Sequence, residues 1–251
     1  MKENVMSKQM MKSAIVTGGS RGIGAAISRR LAADGCAVTI NYAGNQAAAE
    51  KLVADIIAAG GQAQAVQGDV ADPATMATLF DTAEAAFGGV DLLVNNAGVF
   101  SVASLADQTD DDFDRLIAIN LKGAFNGMRE AAKRVRNGGR IINLSTSVVG
   151  MKLETYGVYA ATKAAVETLT AILSKELRGR SITVNAVAPG PTATDLFLTG
   201  KSPELVERLA KMAPLERLGT PDDIAAAIAF LAGPDGAWIN GQVLRANGGV
   251  V

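Results

Sequence analysis

The strongest constraint on how this 251-residue chain can fold is its rhythm, in which short β-branched or apolar runs alternate with longer segments of helical period. The candidate strands are Ala14 to Thr17, Ala37 to Asn41, Ala63 to Gln67, Leu92 to Val94, Arg140 to Leu144, Ile182 to Ala188 and Val243 to Arg245. Such alternation is the pattern of a parallel sheet with helices on both faces, which makes the fold class α/β and doubly wound. The first helix shows the logic. Ile23, Ile27 and Leu31 recur every four residues, and Gly35 stands where a left-handed cap would end the helix. No repeat of roughly 20–50 residues and no low-complexity linker interrupts the rhythm. Residues 12–251 therefore read as one domain, and the polar residues 1–11 as a flexible extension without a signal-peptide core.

Composition removes several classes of function. The chain has no histidine, which excludes Ser-His-Asp and Cys-His catalysis, an imidazole base and histidine metal ligands, so no metal site is expected. A single cysteine, Cys36, cannot form an internal disulfide and suits a reducing, cytoplasmic setting. A net charge of -1 points to no nucleic acid or anionic membrane. No apolar run approaches the ~20 residues that span a bilayer. Proline is uneven: Pro73 stands alone before Pro189, whereas Pro189, Pro191, Pro203, Pro214, Pro221 and Pro234 crowd the last quarter. An excursion over about 190–220, directly after a strand, is where an α/β protein places a loop over its substrate.

The segment Thr17-Gly18-Gly19-Ser20-Arg21-Gly22-Ile23-Gly24 follows an apolar strand and opens an amphipathic helix. Gly18 permits a tight turn, Gly22 lets backbone amides approach a pyrophosphate, and Gly24 allows close helix packing, while the helix N-terminus supplies partial positive charge. The absence of a Gly-Lys-Ser/Thr ending argues against a P-loop. An acid at the end of the second strand would bind a ribose 2′-hydroxyl and repel a 2′-phosphate. Here the strand ends Thr39-Ile40-Asn41-Tyr42, no acid occurs from Val38 to Asn45, and Arg21 can reach a phosphate, which favours NADP(H).

Tyr159 and Lys163 stand four residues apart, on one face of the helix expected after Gly157. A phenol ionises near pH 10, and a nearby cation favours the ionised form and moves its pKa toward the working range of an acid-base catalyst.

These motifs occur in order with Asp69-Val70, Asn95-Asn96-Ala97-Gly98, Asn120, a Ser/Thr cluster and Pro189-Gly190. In this the chain resembles the short-chain dehydrogenase/reductase family from about Lys12 to Gly249. The resemblance implies a Rossmann-type domain with a seven-stranded sheet, a homotetramer, and metal-free interconversion of ketone and secondary alcohol with NAD(P)(H). It implies that Tyr159 donates the proton, that Lys163 lowers its pKa and bonds the nicotinamide ribose, and that Asn120 holds a water. Gly18, Ser20, Arg21, Ile23 and Gly24 match the phosphate loop. Asp69 and Val70 match the adenine contact, and Asn95, Ala97 and Gly98 line the cleft, although Asn95 and Asn96 can equally knit strands together. Pro189, Gly190, Thr192 and Thr194 match positions near the nicotinamide and phosphates, Thr194 alternatively capping the next helix. For the carbonyl-binding hydroxyl, the Ser-x-x-Gly pattern of Ser147 to Gly150 selects Ser147, while the family's spacing from Tyr159 selects Thr146. Ser147 is the preferred reading.

Within the family the pattern looks most like 3-oxoacyl-[acyl-carrier-protein] reductases of fatty acid biosynthesis, implying a 3-oxoacyl thioester substrate and an acidic acyl-carrier partner. Arg129, Lys133, Arg134 and Arg136, with Lys175, Arg178 and Arg180, could dock that partner or merely meet helix dipoles. The alternatives are a sugar, polyol or cyclic-ketone dehydrogenase of the same family, and a non-catalytic NADP sensor.

Overall fold

The computed structural model describes residues 12–251; the extension expected over residues 1–11 lies outside the described residues. Seven strands form one sheet in the order β3-β2-β1-β4-β5-β6-β7. They are β1 (Ser13–Val16), β2 (Ala37–Tyr42), β3 (Gln62–Gln67), β4 (Val90–Asn95), β5 (Val135–Leu144), β6 (Thr183–Pro189) and β7 (Val243–Ala246), all paired in parallel. Each expected strand is present. The largest departure is the early start of β5, whose pairing jumps from Val90↔Val135 to Leu92↔Arg140 and so bulges the residues between. Asn137-Gly138-Gly139 reads as a turn, and Gly138 takes φ +82° there, which is why the sequence shows only the second half of the strand.

Alternation along β1 divides the core. Ala14 and Val16 face a layer made by α1 (Gly22–Ala33), α2 (Gln46–Ala58) and α10 (Pro221–Ala232), with Ile27, Leu31, Leu52, Ile224 and Ile228 buried there. Ile15 faces the other layer, made by α3 (Pro73–Phe87), α5 (Ala124–Arg134) and α7 (Gly157–Glu176), with Leu79, Phe80, Met128 and Leu173. The apolar stripe of α10 thus belongs to its own core.

Between β4 and α5, the helix α4 (Asp110–Leu116) runs through a π-helical turn, Ile117–Gly123. The excursion after β6 is not a plain loop, since it holds α8 (Asp195–Leu198) and α9 (Pro203–Ala210). Pro203 and Pro221 open α9 and α10 behind the capping residues Ser202 and Thr220, a first-turn position where the missing N–H has no consequence. Among the described residues no helix is long and apolar enough to cross a membrane.

Candidate active site

Chain order reverses between β1 and β4, and in open parallel sheets the crevice at such a switch point, outside the carboxyl ends of the strands, takes the ligand. The glycine turn after β1 is built into that crevice. Gly18 adopts φ +58°, and a Cβ on Gly24 would lie 2.2 Å from the Gly18 carbonyl oxygen, so neither position accepts a side chain. Asn96 Nδ2 donates to the Thr17 and Gly18 carbonyls at 3.0 Å each, which makes it a brace for the turn. The Thr17 hydroxyl in turn accepts from the Asn96 and Ala97 amides.

Helix α1, which the turn opens, has no side-chain cap and no acid in its first turn. By contrast α2, α3 and α4 are capped by Asn45, Asp72 and Thr109. The first amides of α1 therefore keep their hydrogen-bonding capacity and the positive end of the dipole for an anion. Arg21 and Gly22 are exposed there, Ser20 is half-buried, and Ile23 packs against the core. Thr194 reaches the same place from across the crevice, its Cγ2 3.5 Å from where a Gly22 Cβ would stand, while its hydroxyl caps α8 through the Phe197 amide.

At several of the expected cofactor positions the side chains have partners within the protein. The Asn41 side chain is buried, accepting from the Gly18 amide at 3.2 Å and donating to the Gly68 carbonyl at 2.9 Å. It ties the glycine turn to the segment after β3. Asn95 turns under the sheet, donating to Asn143 Oδ1 at 2.8 Å and to the Ala124 carbonyl, so its side chain knits β4 to β5 rather than lining the cleft. Val70 is buried against Gly123 and its carbonyl accepts from Asn126, which leaves the exposed Asp69, with its carboxylate on the Ala71 amide, as the accessible member of that pair. Pro189 accepts from the Ser147 amide, Gly190 lies too close to Asn247 for any side chain, and the buried Thr192 donates to the Gly190 carbonyl.

Tyr159 and Lys163 lie on α7 as the spacing requires. Lys163 is 5% exposed and donates from Nζ to the Leu144 carbonyl at 2.9 Å. Asn120, 1% exposed within the π turn, exchanges both bonds with Val99: Nδ2 donates to its carbonyl at 2.9 Å, and Oδ1 accepts from its amide at 2.8 Å. Gly98 joins them, since a Cβ there would meet Asn120 Oδ1 at 3.3 Å and Lys163 Nζ at 3.5 Å. A π turn at a functional position is a common device for re-aiming a side chain.

The two candidate hydroxyls differ in their partners. Ser147 is 1% exposed, donates to the Ala188 carbonyl at 3.1 Å and accepts from Asn247 Nδ2 at 2.9 Å. Its proton and one lone pair are engaged in holding the end of β5 to the β6 and β7 ends. Thr146, whose hydroxyl accepts from the Val148 amide at 3.3 Å, is the hydroxyl near enough to the Tyr159 phenol to lower its pKa. Ser145 is a strand-end residue bonded to Glu167 at 2.6 Å.

The electrostatics also differ from the spacing argument. Burial pushes the Tyr159 phenol up to about 12, opposed by the Thr146 hydrogen bond and assisted by the nearby Tyr156. Burial pulls Lys163 down to about 8. Desolvation thus outweighs the lowering expected from the spacing and holds the phenol in its neutral form.

Four residues at the site escape the motif reading. Phe100 stacks edge-on against Tyr159, Tyr156 lies beside it, and Phe197 and Lys201 come over from the excursion after β6. The one sequence signal of the three rings is rarity, since aromatic residues make up only 4% of the chain.

A glycine turn at a sheet's switch point, an uncapped helix beside it and a Tyr–Lys pair on one helix face define the class: an α/β oxidoreductase that works with a dinucleotide. A family model described as Enoyl-(Acyl carrier protein) reductase matches residues 18–251. A short-chain type dehydrogenase/reductase of Picea abies is 52% identical over 95% of this chain and 92% of its own length. An NADPH-dependent aldehyde reductase-like protein, chloroplastic, of Arabidopsis thaliana is 45% identical over 95% and 93%. The crystal structure of a short chain dehydrogenase from Burkholderia cenocepacia J2315 in complex with NADP superposes with a TM-score of 0.90 at 41% identity, covering 95% of this chain and 97% of that one. The chain belongs to the short-chain dehydrogenase/reductase family and is an oxidoreductase.

Proposed function

We propose that the protein is an NADPH-dependent carbonyl reductase in which Tyr159 protonates the oxygen of a ketone as it becomes a secondary alcohol. The observation that carries this reading is the convergence on Gly98, at the carboxyl edge of the sheet, of Asn120 and of Lys163, whose helix also bears Tyr159. The uncapped α1 terminus, the open cradle at Gly22 and the exposed Arg21 suit a dinucleotide carrying a 2′-phosphate. NADP(H), when bound, supplies the hydride.

The chain's own residues manage the proton. A neutral phenol donates a hydrogen bond to the substrate oxygen, and Thr146 supplies the second hydroxyl beside it. An alkoxide is far more basic than a phenolate, so a phenol of raised pKa still surrenders its proton once charge develops. Lys163, with a pKa of about 8, carries its charge at neutral pH and offsets the phenolate that remains. Asn120 positions Gly98 and Val99 at the floor of the crevice through its paired bonds. The test is loss of NADPH absorbance across a panel of ketones and aldehydes, run in parallel with NADH. Tyr159→Phe should lower turnover about 10³-fold. Unchanged activity in that variant overturns the reading.

A 3-oxoacyl thioester is a second reading, favoured by the acyl-carrier description of the matching family model. The basic cluster gives it little support. Arg134 pairs with Asp81, Glu84 and Glu130, Arg136 pairs with Asp91, Lys133 pairs with Glu130, and Arg180 bonds Asn137 and two carbonyls. A higher kcat/KM for acetoacetyl-CoA than for free ketones would restore it.

We also read the assembly as a homotetramer. Two separate faces expose large apolar groups: Phe113, Phe125 and Ile172 on α4, α5 and α7, and Phe230, Leu244 and the 98% exposed Trp238 near β7. Two different self-complementary patches build a closed tetramer, whereas one builds a dimer. A solution mass of one chain, measured by light scattering, rejects this.

A further inference from the structure

We propose that Phe100, Tyr156 and Phe197 form an aromatic slot at the mouth of the Tyr159 site, bridged by the Lys201 ammonium, that selects carbonyls borne on a flat aromatic ring over open-chain ones. The idea deepens the reductase reading, on which it rests for turnover though not for binding.

The chain holds only seven Phe, three Tyr and one Trp. Two tyrosines, Tyr156 and Tyr159, contact Phe100, and a fourth ring, Phe197, is tied to Phe100 through the Lys201 ammonium, so that three segments far apart in sequence contribute. Phe100 meets Tyr159 at 5.1 Å between centroids and 87° between planes, and meets Tyr156 at 5.5 Å. The Phe100 ring is therefore packed directly against the ring that carries the phenol. The opposing wall arrives with α8, whose N-cap Thr194 lies against Gly22. Lys201 joins the two walls: its Nζ stands 4.6 Å from the Phe197 centroid and 5.8 Å from that of Phe100, and it donates to the Phe197 carbonyl. Leu105, packed beside Gly157 at the start of α7, and Leu196 extend an exposed apolar rim.

A flat aryl group in such a mouth gains edge-to-face contacts and presents its π face to the ammonium, and it has few torsions to freeze. An alkyl chain gains only area and loses rotamer freedom. Lys201 acts here as a positioning residue, holding α8 against the segment after β4 through the rings.

The test compares methyl naphthyl ketone with methyl hexyl ketone, using NADPH, in wild type, Phe197→Leu, Lys201→Met and Lys201→Arg. Wild type should favour the naphthyl ketone, and the naphthyl-to-hexyl ratio of kcat/KM should fall about tenfold in the Leu and Met variants, chiefly through KM, as loss of one aromatic or cation–π contact implies. Lys201→Arg should recover most of the ratio. A ratio unchanged in both variants, or wild-type preference for the hexyl ketone, overturns the proposal. Should neither ketone turn over, the reductase reading fails, and the slot is judged by calorimetric binding of the two corresponding alcohols to the NADP-loaded protein. Tighter naphthyl binding that weakens in Phe197→Leu upholds it, and equal binding overturns it.

Discussion

The glycine turn after β1 and the aromatic mouth above Tyr159 border the same crevice, yet they are made in opposite ways. The turn is local: eight consecutive residues, a left-handed Gly18, a side-chain-free Gly24 and the bare end of α1. Its chemistry is backbone amide and dipole, which tolerates almost no substitution. The mouth is assembled from segments after β4, before α7 and after β6, and its chemistry is side-chain surface. The first kind of site fixes a cofactor class, and the second can be rewritten by a few exchanges without touching the sheet.

The sharpest way to break that contrast is Gly24→Ala. The added Cβ would meet the Gly18 oxygen at 2.2 Å and Asn96 Nδ2 at 2.6 Å, so backbone must move. Destabilisation of about 3 kcal/mol, with loss of NADPH binding, is expected in chemical denaturation and fluorescence titration. A variant that keeps its stability and its NADPH affinity would show the turn to be as forgiving as the mouth.

The next effect separates adjacent hydroxyls. Thr146→Ala should lower kcat about 10²-fold, as loss of a donor at a developing oxyanion does. Ser147→Ala should lower stability by about 1–2 kcal/mol, because Asn247 Nδ2 loses one of its two acceptors and the Ala188 carbonyl loses a donor, while kcat stays within a few-fold. The reverse pattern would return the carbonyl to Ser147.

The smallest effect is on pH dependence. Lys163 titrates near 8 when folded against an ordinary 10.5, so between those values the unfolded chain holds a proton that the folded chain does not, and stability rises with pH. Tyr159, at about 12 against 10, reverses the trend above pH 10, where the folded chain is the one that keeps the proton. The denaturation midpoint should therefore climb from pH 8 to 10 in wild type and stay flatter in Lys163→Met. Parallel curves for the two proteins would refute the buried charge.

What the sequence reveals follows the same division. The strands, the glycine turn and the Tyr159–Lys163 spacing are readable because periodicity and backbone conformation are local properties. Asn41 has the right residue type at the right strand end, but its pairing opposite Val66 buries it, and register is a property of two strands. Thr146 and Ser147 differ by one step on a turn, and the step is decided by Asn247, 100 residues beyond Ser147. The rise of the Tyr159 pKa depends on how much of the surrounding chain closes over it, which spacing alone does not convey.

That hydrogen bond from Asn247 to Ser147, with the Gly190 amide on the Ala246 carbonyl, also imposes an order in time. A ribosome releases the glycine turn near the start of its work and β7 near the end. A nascent chain can therefore shape its phosphate cradle while the turn bearing Thr146 still lacks its last anchor. A chain stalled before β7 lacks the Asn247 anchor that holds Ser147 next to Thr146.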